Sequence, residues 1–296
     1  MLHPPRGALS RSAEVIPFIT VTRLQASRAE QNLVRVALQI ATDTASKYSE
    51  LRPSRSCRPL PFFGPIERAR VITFGLNPST DEFTEKRKWS RVDDAKLPDE
   101  LVNYWTNEQR TPLKWFKPWE TVLSELGVSY AADAAHIDLS PRATNCRKGE
   151  LRSLFISMLR TDAPIWIEAL GCAARCKLIL AAGSATNESC GYINEFILHR
   201  LSHTGVRLLN PWQRGHGPGQ TAFHTICLPG SLEDEEARRR VGTEQEQKQQ
   251  EPGIPFFFCS TGPSSRKQGT DVLVAACRKN MGDLKKYLAP PVSHNS

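Results

Sequence analysis

The 296-residue sequence has no long hydrophobic run. Its longest apolar stretches, such as Leu178 to Ala182 and Phe256 to Cys259, fall far short of the ~20 residues needed to cross a bilayer. No membrane association is therefore expected. The start of the chain has no apolar stretch ahead of a small-residue cleavage site, so no secretory signal is read. Arg6 and Arg11 before the first acid, Glu14, keep a transit peptide as an alternative. No repeat with a period of about 20–50 residues is visible, which disfavours solenoids and propellers. The phosphate-loop pattern Gly-x-x-x-x-Gly-Lys and the nucleophile turn Gly-x-Ser-x-Gly are both missing. Gly183-Ser184-Ala185-Thr186 is read as the start of a helix.

What is present supports a folded core: 40% hydrophobic and 8% aromatic residues rule out wholesale disorder. The eight cysteines are ordinary usage for this length and, without an export signal, are expected as reduced thiols. Lys+Arg exceed Asp+Glu by 39 to 31, a formal charge of +8 that favours polyanionic partners. Cys172, Cys176, Cys190, His199 and His203 match no zinc module and read as core and helix-face residues, so no metal is expected.

Apolar positions from Leu33 to Ala41 predict one helix within residues 26 to 49, followed by a loop broken by Pro53, Pro59, Pro61 and Pro65. Four short apolar runs, Val71 to Phe74, Ala135 to Leu139, Leu178 to Ala182 and Phe223 to Leu228, read as buried strands, with Val206 to Leu209 as a fifth. Helical patterns around Trp119 to Leu126, Leu151 to Leu170 and Glu188 to Leu201 lie between them. The alternation predicts a three-layer α/β sandwich with a short, mainly parallel sheet. The polar run Thr243 to Gln250 reads as a linker and Asp271 to Tyr287 as one helix. The expected division is a helical and Pro-rich extension over 1–64, the α/β domain over 65–242, a linker over 243–253 and a helical appendage over 254–296.

In such a sheet, ligands gather beyond the carboxyl ends of the strands. The first run ends Gly75-Leu76-Asn77-Pro78-Ser79, where Gly75 allows close backbone approach or a positive φ and Pro78 holds Asn77 in an extended conformation. An Asx turn that merely ends a strand is the competing reading. The second run continues through Asp138, Ser140, Arg142, Thr144 and Asn145, and the fourth through Leu228-Pro229-Gly230-Ser231-Leu232. Ser231 also has the spacing of a helix cap.

Gly75-Leu76-Asn77-Pro78-Ser79 resembles the first motif, Gly-x-Asn-Pro-Gly, of the mismatch-specific and single-strand-selective branches of the uracil-DNA glycosylase superfamily. Leu228 to Leu232 is similar to the second, His-Pro-Ser-Pro-Leu in the main uracil branch, and the resemblance spans roughly residues 65 to 245. It implies a uracil-DNA glycosylase-like fold and hydrolysis of the N-glycosidic bond of uracil or a related deaminated or damaged base flipped out of DNA. It also implies a cytoplasmic enzyme, nuclear in a eukaryote, that acts as a monomer without a cofactor. Asn77 would position the attacking water, and Gly75, Leu76, Pro78, Ser79, Trp89, Asp138, Thr144 and Asn145 would line the base pocket, Trp89 by stacking. Lys88, Arg142, Pro229, Gly230, Ser231 and Leu232 would contact DNA, Leu232 as an apolar wedge. Leu228 stands where the main branch has a histidine, with His224 four residues earlier, and Ser79 stands in place of a glycine. These departures motivate a second reading, a catalytically inactive nucleic-acid or nucleotide-binding protein with the same fold. Trp105, Trp115, Phe116 and Trp119, around a segment that bears Lys114, read as core, with stacking platforms beside positive charge as the alternative.

Overall fold

The computed structural model describes residues 23–51, 57–83, 89–107, 113–144, 151–182, 207–209, 221–228, 253–259 and 267–289. Among the described residues, seven strands form one sheet: β1 (Phe62–Phe63), β2 (Val71–Gly75), β3 (Ala134–Asp138), β4 (Leu178–Ala182), β5 (Arg207–Leu209), β6 (Thr221–Cys227) and β7 (Ile254–Cys259). Their order across the sheet is β1-β3-β2-β4-β7-β6-β5. β3, β2, β4 and β7 run parallel, while β1 and the β6–β5 hairpin are added antiparallel at the two sides. The parallel strands are buried on both faces, which is why they read as unbroken apolar runs rather than alternating ones.

Helices cover both faces. α1 (Arg28–Asp43) starts at a capping box between Ser27 and Glu30, and buries Leu33, Val34 and Ala37. It packs on α4 (Arg152–Cys172), whose Trp166 meets Phe74 of β2 edge-on with ring centroids 5.8 Å apart. The other face carries the short α2 (Leu97–Val102), then α3 (Lys117–Glu125) against α5 (Lys267–Lys279), and α6 (Met281–Leu288). The single helix expected over Asp271 to Tyr287 is thus two, broken at Asn280, whose backbone N–H turns back to the Cys277 carbonyl. The predicted helix over Glu188 to Leu201 lies outside the described residues.

Two of the expected boundaries differ from what is observed. Residues 254–259 do not begin a helical appendage: β7 sits inside the sheet, paired on one side with β4 and on the other with β6. Its Phe256, Phe257 and Phe258 are fully buried, which an appendage could not provide. Likewise the described part of the segment before residue 65 belongs to the domain, since α1 lies against α4 and Phe62 and Phe63 pair with Ile137 and His136. Among the described residues no helix is long and apolar enough to cross a membrane.

Candidate functional site

The register puts the carboxyl ends of β2, β3, β4 and β7 on one rim of the sheet: Gly75 lies opposite Asp138, Phe74 opposite Ala181 and Ala182 opposite Cys259. Beyond the strands the two chains stay together, with Leu139 N–H donating to the Gly75 carbonyl and Ser140 N–H to that of Leu76, both at 3.1 Å. Asn77 is half-buried there. Its Nδ2 is shared among the carbonyls of Pro78 and Arg142 and the Thr144 hydroxyl, at 3.2–3.3 Å. These contacts hold the amide against the β3 loop. Pro78 is buried, and Ser79 opens a turn in which its hydroxyl accepts from Asp81 N–H and its carbonyl from Glu82 N–H.

Gly75 is needed for close approach and not for a positive φ. A Cβ there would stand 2.0 Å from Asp138 Oδ1 and 2.7 Å from His136 Nε2. Thr73, Gly75, His136 and Asp138 share one face of the sheet, because residues two apart on a strand point the same way and β2 and β3 are in register. They carry a buried polar chain. Tyr130 Oη lies 2.6 Å from Thr73 Oγ1, which lies 2.8 Å from His136 Nδ1, and His136 Nε2 lies 3.3 Å from Asp138 Oδ1. Burial raises the Tyr130 hydroxyl well above its usual pKa, so it stays a neutral donor. The second Asp138 oxygen, also buried, has no hydrogen-bond partner among the described residues. Trp115, half-buried, is edge-on to the His136 ring at 4.9 Å, and Phe116 at 5.1 Å.

Other expected site residues fall elsewhere. Trp89 is fully buried, parallel to Tyr104 at 6.2 Å, and its indole N–H and the Tyr104 hydroxyl both donate to the buried Glu82 carboxylate. Its role is the structural one: with Glu82 it anchors the turn that follows Asn77. Arg142 is 5% exposed and committed inward, with Nη2 donating to Asp162 Oδ1 at 2.6 Å and its guanidinium over the Tyr48 ring at 5.3 Å. It is not presented for DNA contact. Ser140 is also turned inward, its hydroxyl donating to Asp162 Oδ2 at 2.6 Å. Burial pushes the Asp162 carboxyl up, against the opposing pull of Arg142 and Ser140. A cavity of about 650 Å³ beside Arg142 is walled by the C-terminal turn of α1 and by Cys57 and Pro59, apart from Asn77 and Asp138.

The second expected loop has a topological problem. β6 runs antiparallel to β7, pairing Thr221 with Cys259 and Ile226 with Ile254. It therefore starts on the Asn77 rim and ends on the opposite one, so Leu228 and the buried His224 do not face Asn77 across a shared rim. Pro229, Gly230, Ser231 and Leu232 themselves lie outside the described residues, as do Lys88 and Asn145.

Sequence reasoning missed the members of the polar chain other than Asp138, and the anchor Glu82. The signal for the chain was present in Ala134-Ala135-His136-Ile137-Asp138, where two polar residues alternate inside an otherwise apolar strand. Among the described residues no group of His, Cys, Asp and Glu could hold a metal ion. Cys172 and Cys176 are partly buried, their thiols pushed up by burial to about 11 and about 12. No family model matches the chain, and no curated protein matches it.

Proposed function

We propose that the chain is a monofunctional DNA N-glycosylase with a uracil-DNA glycosylase-like fold, acting on uracil or a related damaged base. The observation that carries this reading is the placement of Asn77. Its amide is fixed on the carboxyl-end rim of β2, an inner parallel strand, two residues from a glycine crowded by a buried carboxylate. That is where an open α/β sheet takes its ligands. The resemblance of Gly75-Leu76-Asn77-Pro78-Ser79 to the family's first motif supports the same assignment.

In the reaction, a water adds to C1′ of the flipped nucleotide, the N-glycosidic bond breaks, and the base leaves with the bonding pair and takes up the proton that the water releases. Asn77 orients the water through its amide but cannot accept its proton as a carboxylate does, so turnover is slow. Trp115 replaces the buried Trp89 as the aromatic wall.

The test is incubation with single- and double-stranded oligonucleotides carrying uracil, hypoxanthine or a mispaired thymine, followed by alkaline cleavage of abasic sites. Base release should fall by roughly 10²-fold or more in Asn77→Ala. Release that is equally fast in that variant refutes the role of Asn77. Intact oligonucleotides at stoichiometric protein, together with salt-dependent DNA binding, would establish the inactive binding protein instead.

A further inference from the structure

We propose that the cavity beside Arg142 is a second ligand site, built for a small monocarboxylate with an apolar body. The inference does not rest on the reading of the Asn77 rim. The two places adjoin through Arg142, whose carbonyl accepts from Asn77 Nδ2 and which itself lines the cavity.

Its basis is a guanidinium that the fold satisfies only in part. Nη2 of Arg142 donates to Asp162 Oδ1 at 2.6 Å and to the Ile40 carbonyl at 3.4 Å. Nε is buried without a hydrogen-bond partner among the described residues. Nη1 has no such partner either, yet it is not one of the fully buried nitrogens, so it keeps accessible surface. The cavity of about 650 Å³ is the open space that Arg142 lines. The group is also held in place before any ligand arrives: Asp162 pins one end, and the fully buried Tyr48 ring lies 5.3 Å from the guanidinium carbon. A ligand therefore meets a charged donor that needs no ordering of a long side chain. An anion supplies the acceptor that this buried cation lacks, through a charge-assisted hydrogen bond.

The rest of the wall fixes the class of ligand. Leu38, Ala41, Ala45 and Pro59 present apolar surface, while the Ser46 and Ser49 hydroxyls line the same space with no hydrogen bond to a described residue. The volume suits a small organic molecule and is more than an inorganic ion fills. Charge sets the valence. Lys47 Nζ lies 5.1 Å from the Tyr48 ring that also carries Arg142, and against these two cations Asp162 sets one carboxylate. The one positive charge left over matches a monoanion better than a dianion. A carboxylate has one oxygen for Nη1 and a second for a serine hydroxyl, and its apolar body covers the alanine and leucine surface.

The experiment is calorimetric titration of the full chain with benzoate, with its neutral isostere benzamide and with phenyl phosphate. The same titrations are run on Ala45→Trp, a substitution at an exposed turn position that fills the cavity. Benzoate should bind saturably and about tenfold more tightly than benzamide, the difference a charge-assisted hydrogen bond makes. Ala45→Trp should weaken benzoate by about tenfold or more, because the indole takes the space of the ligand. Three results overturn the proposal: no saturable binding of benzoate, benzamide binding as tightly as benzoate, or benzoate binding to folded Ala45→Trp as it does to wild type, which would put the anion elsewhere. Phenyl phosphate binding more tightly than benzoate would overturn the assignment to a monoanion. The comparison of the three probes in wild type decides the matter even if Ala45→Trp does not fold.

Discussion

Replacing Gly75 by alanine should destabilise the protein by about 3–5 kcal/mol, although a single methyl group is all that is added. The new Cβ would lie 2.0 Å from Asp138 Oδ1 and 2.7 Å from His136 Nε2, so the carboxylate and the imidazole must both move. Overpacking in a tight interior costs roughly 1–3 kcal/mol. Parting Asp138 from His136 removes a hydrogen bond to a charged group, worth about 1.5–3 kcal/mol more. The stiffer unfolded chain of the alanine variant offsets less than ~1 kcal/mol of this. The assay is urea unfolding followed by far-ultraviolet circular dichroism, in which the midpoint should drop with little change in slope. A double-mutant cycle with Asp138→Ala isolates the cause. Once Oδ1 is gone and His136 can turn, Gly75→Ala should cost less than about 1 kcal/mol. If the full penalty persists in the Asp138→Ala background, the collision with the carboxylate is not the cause and the reasoning fails.

Two further predictions concern the residues that were relocated. Trp115→Ala should raise KM or Kd for a base-containing ligand through a stacking loss of ~1–3 kcal/mol while leaving the fold intact, whereas Trp89→Ala should cost ~3–5 kcal/mol of stability; equal effects of the two on both readouts would sink the distinction. For Asp162 the sign follows from burial. Its folded pKa lies above the ordinary 3.8, so its stabilising contribution is present below that value and is lost as pH rises through the folded value. Asp162→Asn strands the buried Arg142 charge at about 3–5 kcal/mol. The stability gap between wild type and this variant should narrow from pH 3.5 toward neutrality, and urea titrations in which it widens would contradict the direction.

Much of the α/β frame was legible in the sequence because buried parallel strands leave short β-branched runs, and β2, β3 and β4 fall within a residue or two of where those runs place them. β7 was missed for a physical reason. Phe256 to Cys259 is as apolar as the other runs, but it follows a polar stretch, and composition near a linker says nothing of which edge a later strand joins. The same gap misplaced Leu228: a run of alternating residues identifies a strand but not its direction in the sheet, and direction decides which rim its end reaches. At the candidate site, Gly75 and Asn77 were singled out as the residues at the end of an apolar run, and they do stand at the carboxyl end of β2. Arg142, in the loop after β3, was not legible, since an arginine in a basic chain reads as surface until Asp162, twenty residues on in α4, is seen to face it. His136 lay in plain view beside Asp138, and its meaning came only with the pairing that set Thr73 and Tyr130 against it.

The position of β7 also constrains how the chain can be made. β4 is complete at Ala182, but the neighbour that covers its far edge begins at Ile254, about 70 residues later. At ~5–20 residues per second that is roughly 4–14 s of synthesis during which an all-apolar strand has an open edge. Unpaired edges of this composition are templates for other chains. The ribosome-bound intermediate is thus the aggregation-prone species in the life of this protein, and its yield should depend on translation speed across residues 183 to 253 more than on the stability of the finished fold.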